Sequence, residues 1–150
     1  METSPTYAQD VALITRTHTL YCHLLDDLRF EDWGQLFTED AEWRTPFAAF
    51  HGRAAIIEGL RAMEPETRGW IKHTSFSPVV EFDGPAAARA WSDLVVFGRD
   101  RTSGLWGVAA AGRYYDRLEK DGGLWRFRSR LADIDVANNP LPDLDPPPPP

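Results

Sequence analysis

Two aspartates, Asp26 and Asp27, close an apolar helical stretch in "LLDDL", and one histidine, His73, opens a strand in "RGWIKHTSFSPVVEF". Negative charge at a helix C-terminus opposes the helix dipole by ~0.3–1 kcal/mol per exposed residue, so either carboxylate calls for solvent or a cationic partner. A histidine at the start of a half-buried strand is satisfied by a backbone carbonyl or by such a carboxylate. If Asp26 reaches His73, it fixes the ring's tautomer and makes the imidazole a general base suited to neutral pH. Further along, Tyr114 shares a strand face with Gly112 and Asp116. A hydroxyl there suits a substrate or a core partner equally well.

Other chemistries find little footing. His18 and His23 are five residues apart, not the four that stack two metal ligands on one helix face, and no HExxH or paired-cysteine pattern is present. There is no GxSxG elbow, phosphate loop or dinucleotide fingerprint. A reaction carried by this chain is therefore expected to use side chains alone, without metal or cofactor. The net charge is −7, from 16 Lys and Arg against 23 Asp and Glu, with no basic run, which argues against nucleic acid as a partner. No cationic-then-apolar leader and no membrane-length apolar run appear, so a cytoplasmic protein is expected. The single cysteine, Cys22, excludes an internal disulfide framework.

The elements that must position these residues follow from periodicity. Val11, Ile14, His18, Tyr21, Leu25 and Leu28 recur every three or four residues, predicting a helix from about Tyr7 to Leu28. "EDWGQLF" reads as a short helix closed by a turn at "TEDA", "EWRTPF" as extended, and "RAAIIEGLRAM" as a third helix stopped by Pro65. From Trp70 onward every segment reads as strand, with turns at Asp83-Gly84 and "KDGG". Alternation groups Ile71, His73, Ser75, Ser77 and Val79 on one face of the first long strand. An antiparallel meander with helices at one side is an α+β layout. The tail "NNPLPDLDPPPPP" holds seven of the twelve prolines. It divides the chain into a single domain, 1–138, and an extended, proline-rich segment, 139–150, dispensable for folding and open to a proline-reading partner.

In the order "LFTEDAEW", "FHGRAAI", "RGWIKHT", "ARAWSDLVVF" and "GRYYDRLEKDGGLWRFRSR", the sequence resembles the SnoaL-like branch of the nuclear transport factor 2-like superfamily over about Tyr7 to Asp135. The resemblance implies a cone-shaped α+β barrel, a curved antiparallel sheet wrapped around a long N-terminal helix and enclosing an apolar pocket. It also implies the pairing of Asp26 with His73, matching the dehydratase and dehydrochlorinase members, and a site role for Tyr21, five residues before Asp26. Five helical residues turn by about 140°, so Tyr21 and Asp26 converge only if the helix loosens near Asp26. Arg130 resembles a late-strand arginine that lines family pockets, with Arg128 as its rival. Leu94 and Val96 are expected on the cavity face beside Ser92, with Asp93 a weak candidate to reach it. Trp33, Trp43, Phe47, Phe50 and Trp70 are expected to supply apolar walls.

What these residues imply together is a cofactor-independent lyase, a dehydratase or cyclase acting on a hydrophobic ring-bearing metabolite. His73 would act as base, Asp26 would orient it, and Tyr21 would hold or protonate the substrate oxygen. An isomerase, a non-catalytic small-molecule-binding domain of the same fold, and a subunit-like role beside an oxygenase are the alternatives, since this fold hosts many functions. A homodimer is expected through the outer sheet face, where Arg89, Trp91, Asp93, Val95 and Phe97 alternate opposite the cavity residues.

Overall fold

A computed structural model describes residues 6–63 and 68–136. Its first element, α1 (Tyr7–Asp26), buries Ile14, His18, Tyr21, Cys22, Leu25 and Asp26, the stripe that a 3.6-residue period lays on one helix face. The helix stops two residues short of the expected Leu28. Asp27 leaves helical geometry at φ −86° and ψ 0°, and Leu28 adopts φ 56°, a left-handed conformation that ends the helical ladder.

α2 (Phe30–Gly34) is shorter than its sequence pattern suggested. The "TEDA" expected to form a turn lies inside β1 (Phe37–Arg44) instead. Ala41 is buried between buried Phe37 and Trp43, while Glu39, Asp40 and Glu42 face solvent. Acidic residues are compatible with a strand when they fall on its wet side. β2 (Ala49–His51) and α3 (Arg53–Met63) follow, the latter with the bounds read from the sequence. β3 (Ile71–Phe82), β4 (Ala87–Arg99), β5 (Trp106–Asp121) and β6 (Leu124–Val136) complete the elements of the described residues. Pro65 and the tail from Asn139 lie outside the described residues.

One six-stranded sheet runs in the order β2-β1-β6-β5-β4-β3. β3 to β6 form the expected antiparallel meander, but β1 joins β6 in parallel. The fold class is α+β, with α1 packed in the sheet's concavity against β3 and β6. Ala88, Ala90, Ser92 and Leu94 of β4 and Tyr114, Asp116 and Leu118 of β5 are buried on the inner face, while Arg89, Asp93, Arg113 and Arg117 point outward. The helix is pinned near its N-terminus by buried Asp10. Its carboxylate accepts hydrogen bonds from Lys120 Nζ and Trp125 Nε1, each at 2.8 Å.

β3 departs from simple alternation. Its register against β4 shifts between Phe76 and Val79, with Ser77 at φ 35°, so a bulge exchanges the faces of everything after it. Val79, expected beside His73, instead pairs with Trp91 on the outer face and is 48% exposed. Val80 and Phe82 pack against the core in its place. Among the described residues no helix is long and apolar enough to cross a membrane.

The β5–β6 pairing leaves no room at Gly112, where an added Cβ would lie 2.0 Å from the Asp133 carbonyl oxygen. Gly112→Ala is expected to lower the stability measured by urea unfolding by ~1–3 kcal/mol, the usual cost of overpacking. An unchanged midpoint would contradict this approach of the two backbones.

Candidate functional site

Among the described residues β3 is an edge strand, so its backbone N–H groups on the open side have no neighbouring strand there to bond. At His73 the end of α1 fills that need. The His73 N–H donates to both Asp26 oxygens, at 3.1 and 3.2 Å, and the His73 ring nitrogen Nδ1 stands 2.7 Å from Asp26 Oδ1. Lys72 Nζ adds a cation 3.6 Å from Oδ2. Asp26 is buried although it is charged and ends a helix, because these partners replace water. The carboxylate can only accept, so Nδ1 carries the ring proton and Nε2 is the basic nitrogen. Asp27, by contrast, is exposed.

His73 forms one wall of an inner cavity of about 80 Å³, whose other walls include Tyr21, Trp43, Leu94, Val96 and Tyr114. Leu25, Thr45, Leu60, Met63, Ala132 and Ile134 complete it. The surroundings are apolar apart from His73, Thr45 and the two tyrosines. Ending α1 at Asp26 lets its carboxylate turn to β3 while Tyr21 stays on the cavity side. Tyr21 Oη accepts the Trp43 indole N–H at 2.9 Å, which leaves its own hydroxyl proton free to donate. Burial pushes the Tyr21 hydroxyl up to about 12, against the opposing pull of Arg130. Burial also lifts Tyr114 well above its ordinary value. Both tyrosines therefore present O–H groups at neutral pH.

Other expected wall residues stand elsewhere. Phe50 stacks behind Trp43, with centroids 5.8 Å apart and planes at 19°, and so supports the wall rather than forming it. Trp70 holds Arg99 and Arg101 over its ring at 5.7 and 4.7 Å. Trp33 is core, packed on Phe37 at 4.8 Å, and Phe47 is 63% exposed. Asp93 and Arg128 both turn away from the cavity, Asp93 to Arg113 at 2.7 Å and Arg128 to Asp40 at 3.2 Å.

Arg130, expected in the lining, lies beneath it. Its guanidinium donates through Nε and Nη2 to the two Asp116 oxygens, each bond 2.8 Å long. It sits 4.1, 3.9 and 4.0 Å from the ring centroids of Tyr21, Tyr114 and Phe127. Burial opposes the Arg130 charge, but the Asp116 carboxylate outweighs it and holds the guanidinium protonated. Burial pushes the Asp116 carboxyl upward against the pull of Arg130; the two-bond fork at 2.8 Å is the geometry of an ionised pair.

His18 completes this network. Nδ1 is 3.3 Å from Arg130 Nη2 and 3.3 Å from Ser92 Oγ, and Ser75 Oγ donates to Ser92 at 2.9 Å. A guanidinium only donates, so Nδ1 is unprotonated and the ring proton is on Nε2, 3.3 Å from Asp116 Oδ2. Burial, reinforced by the Arg130 charge, pushes His18 well below its ordinary value, so the ring is neutral. The signal for this network was present in the sequence as polar residues on apolar stripes: His18 on the buried face of α1 and Asp116 two residues after Tyr114 on β5.

With this geometry in view, comparison with known proteins places the chain. The model of the SnoaL-like domain matches residues 6–131. The chain belongs to the SnoaL-like domain family. Among solved structures, this SnoaL-like chain is similar to the D26N form of Rv3472 from Mycobacterium tuberculosis, a protein of unknown function, with a TM-score of 0.78 and 28% identity over 88% of this chain and 76% of that one. It is also similar to a candidate scytalone dehydratase of Novosphingobium aromaticivorans, at TM-score 0.76 and 24% identity over 90% and 89% of the two chains. ActVI-ORFA from Streptomyces coelicolor aligns at TM-score 0.73 and 22% identity, over 83% and 96%. No curated protein matches the sequence.

The buried neutral His18 carries a pH signature. Burial and the Arg130 charge depress its folded-state affinity for a proton well below that of an ordinary histidine, about 6.5, so below that pH the unfolded chain binds a proton that the folded chain refuses. Stability is therefore expected to fall as pH drops through about 6.5, by up to ~1.4 kcal/mol per pH unit from this group. Urea unfolding between pH 7.5 and 5 checks this, and His18→Gln should flatten the slope. A wild-type slope unaffected by that substitution would assign it to other groups.

Proposed function

We propose that this SnoaL-like chain is a cofactor-independent lyase, a dehydratase or cyclase that removes a proton from a hydrophobic ring-bearing substrate. The observation that carries the reading is the 2.7 Å contact of His73 Nδ1 with Asp26, made by a histidine that also walls an apolar cavity. Nε2 of His73 takes a proton from carbon next to a carbonyl. The C–H electron pair moves onto that carbonyl oxygen as an enolate, which a Tyr21 or Tyr114 O–H group holds. Collapse of the enolate expels a β-hydroxyl, and the imidazolium returns the proton so that water leaves. Asp26 keeps the ring in its reactive tautomer and offsets the charge formed on it. The family match and the structural likeness to a candidate scytalone dehydratase support proton-abstraction chemistry.

The test is a panel of β-hydroxy ketones fused to one or two rings, with loss of water followed by mass spectrometry and solvent deuterium incorporation at the acidic carbon. His73→Ala and Asp26→Asn are each expected to lower turnover at least ~10²-fold, and the double variant little further, because the pair acts as one unit. Folding stability should be kept or raised in both. Unfolding of His73→Ala would make the histidine a structural residue and remove the main support for the reading. If Tyr21 is the proton donor, Tyr21→Phe should cost as much as His73→Ala; if it only positions the oxygen, less.

A homodimer through the outer sheet face accompanies this reading. Phe76, Val79, Trp106, Val108 and Tyr115 are each between 46% and 56% exposed there, and Trp91, Val95 and Phe97 are half-buried. A face of this kind favours association. Light scattering at micromolar concentration should give twice the chain mass, and Trp91→Glu should shift it towards one. A single-chain mass for the unaltered protein would reject the dimer.

A further inference from the structure

Three hydroxyl groups line the inner cavity, those of Tyr21, Thr45 and Tyr114. Among the described residues none of their protons has an acceptor. Tyr21 Oη accepts from Trp43 and donates to no group there, and Tyr114 Oη forms no hydrogen bond. The third, Thr45, has no part in the lyase chemistry described above.

Thr45 follows directly on β1. Trp43 is buried and Arg44 exposed, so alternation carries Thr45 to the inner face. Pro46 comes next and has no backbone N–H. The two residues after it both donate to Thr45: the Phe47 and Ala48 N–H groups each reach Oγ1 at 3.1 Å. The Thr45 N–H in turn donates to the Ala48 carbonyl at 2.8 Å. A hydroxyl has two acceptor lone pairs and one proton. The turn occupies both lone pairs, so Oγ1 is left as a donor only. An aspartate would close the same turn but would bring no proton to the cavity.

Thr45 also stands opposite the base. Leu131 pairs with Arg44, so the next residue of β6, Ala132, lies towards Thr45, and Ala132 pairs with Tyr114. Strands are ~4.8 Å apart, which sets the backbones of Thr45 and Tyr114 roughly 10 Å apart with only a methyl group between them. His73 is farther, on β3, with β6, β5 and β4 intervening in the sheet. Because the sheet curves, β1 and β3 face one another across the cavity that both line. A ring that turns its acidic carbon to His73 has its remote side towards Thr45.

We infer that Thr45 determines specificity by holding a second substrate oxygen, a carbonyl, ether or hydroxyl oxygen remote from the acidic carbon. The substrate class is then a ring compound with two oxygen acceptors, one for a tyrosine O–H and one for Thr45. This rests on the inner cavity being the substrate site, as proposed above, and not on the lyase chemistry. A few convergent polar groups orient a ligand in an apolar cavity. A site built to bond an oxygen rejects the analogue without it, because the donor is left unpaired.

The test uses 4-methoxyacetophenone and 4-ethylacetophenone, which match in shape and differ by one oxygen replaced with CH2. Neither carries a β-hydroxyl, so binding is read apart from turnover. Calorimetric titration of the unaltered protein is expected to favour the methoxy probe at least ~5-fold, the worth of one hydrogen bond. Thr45→Ser should keep that ratio and Thr45→Val should abolish it, whereas Tyr114→Phe should weaken both probes alike. Equal affinities in the unaltered protein, no binding of either probe at millimolar concentration, or a preference that survives Thr45→Val would overturn the inference. A preference lost in Tyr114→Phe would overturn it too, by giving the second oxygen to that tyrosine. If Thr45→Val does not fold, the nuclear Overhauser effect between the methoxy protons and the Thr45 methyl group in the unaltered protein decides, and its absence overturns the inference. A dehydration panel that fails while the preference holds would strike the lyase chemistry alone.

Discussion

A guanidinium shut off from water lies at the centre of this fold. Arg130 is 1% exposed and Asp116 4%, and removing such charges from water costs several kcal/mol per ion. Two aligned hydrogen bonds and the faces of Tyr21, Tyr114 and Phe127 replace the lost solvation. Desolvated contacts between a cation and a ring contribute up to ~2 kcal/mol each. The arrangement is all-or-nothing, since a buried charge left without its partner costs ~3–5 kcal/mol. One consequence is geometric: both cavity tyrosines rest on the same guanidinium, so the floor of the site and the centre of the core are one object. Another is electrical. The Arg130 charge pulls against proton uptake by His18 and helps keep that ring neutral, which suits a nitrogen that must accept from Ser92.

The upper side of the cavity is held differently, by an open sheet edge. Among the described residues β3 has a neighbouring strand on one side only, and Asp26 closes its other side at His73 with the same carboxylate that contacts the imidazole. A single residue therefore ends the contact between helix and sheet and orients the proposed base. The left-handed Leu28 that follows turns the chain away towards α2, so this carboxylate is the last side chain the helix can aim at β3. Backbone and side-chain bonds from one residue to one carboxylate leave the ring little freedom to rotate. Such pre-organisation is what a general base needs.

The two faces of the sheet divide the work. Inward positions of β4 and β5 alternate small residues with the polar network, leaving space for a cavity under α1. Outward positions carry arginines, aspartates and exposed rings, and there the charges largely pair with one another, as Arg113 does with Asp93. Among the described residues Arg44 and Arg117 are exceptions on this face, and they border a larger outer groove.

Much of the site was legible from local pattern together with family resemblance. Periodicity located α1 and α3 and separated Leu94 and Val96 from Asp93, because alternation and helical repeat are properties of a few neighbouring residues. Asp26 and His73 stood out because each is a poor local choice, a carboxylate at a helix C-terminus and an imidazole in a strand. The resemblance added Tyr21, which periodicity alone did not select. Sequence did not show that Arg130 lies under the cavity rather than in its wall, that Trp70 serves two arginines, or that β1 runs parallel to β6. It also placed Val79 on the wrong face, since a bulge at Ser77 reverses alternation without changing composition. Local sequence determined which residues share a helix stripe or strand face; tertiary structure alone decided which faces meet. The partners of Arg130 come from α1, β5 and its own strand β6, and the register that brings them together is set by packing and hydrogen bonding across the whole sheet.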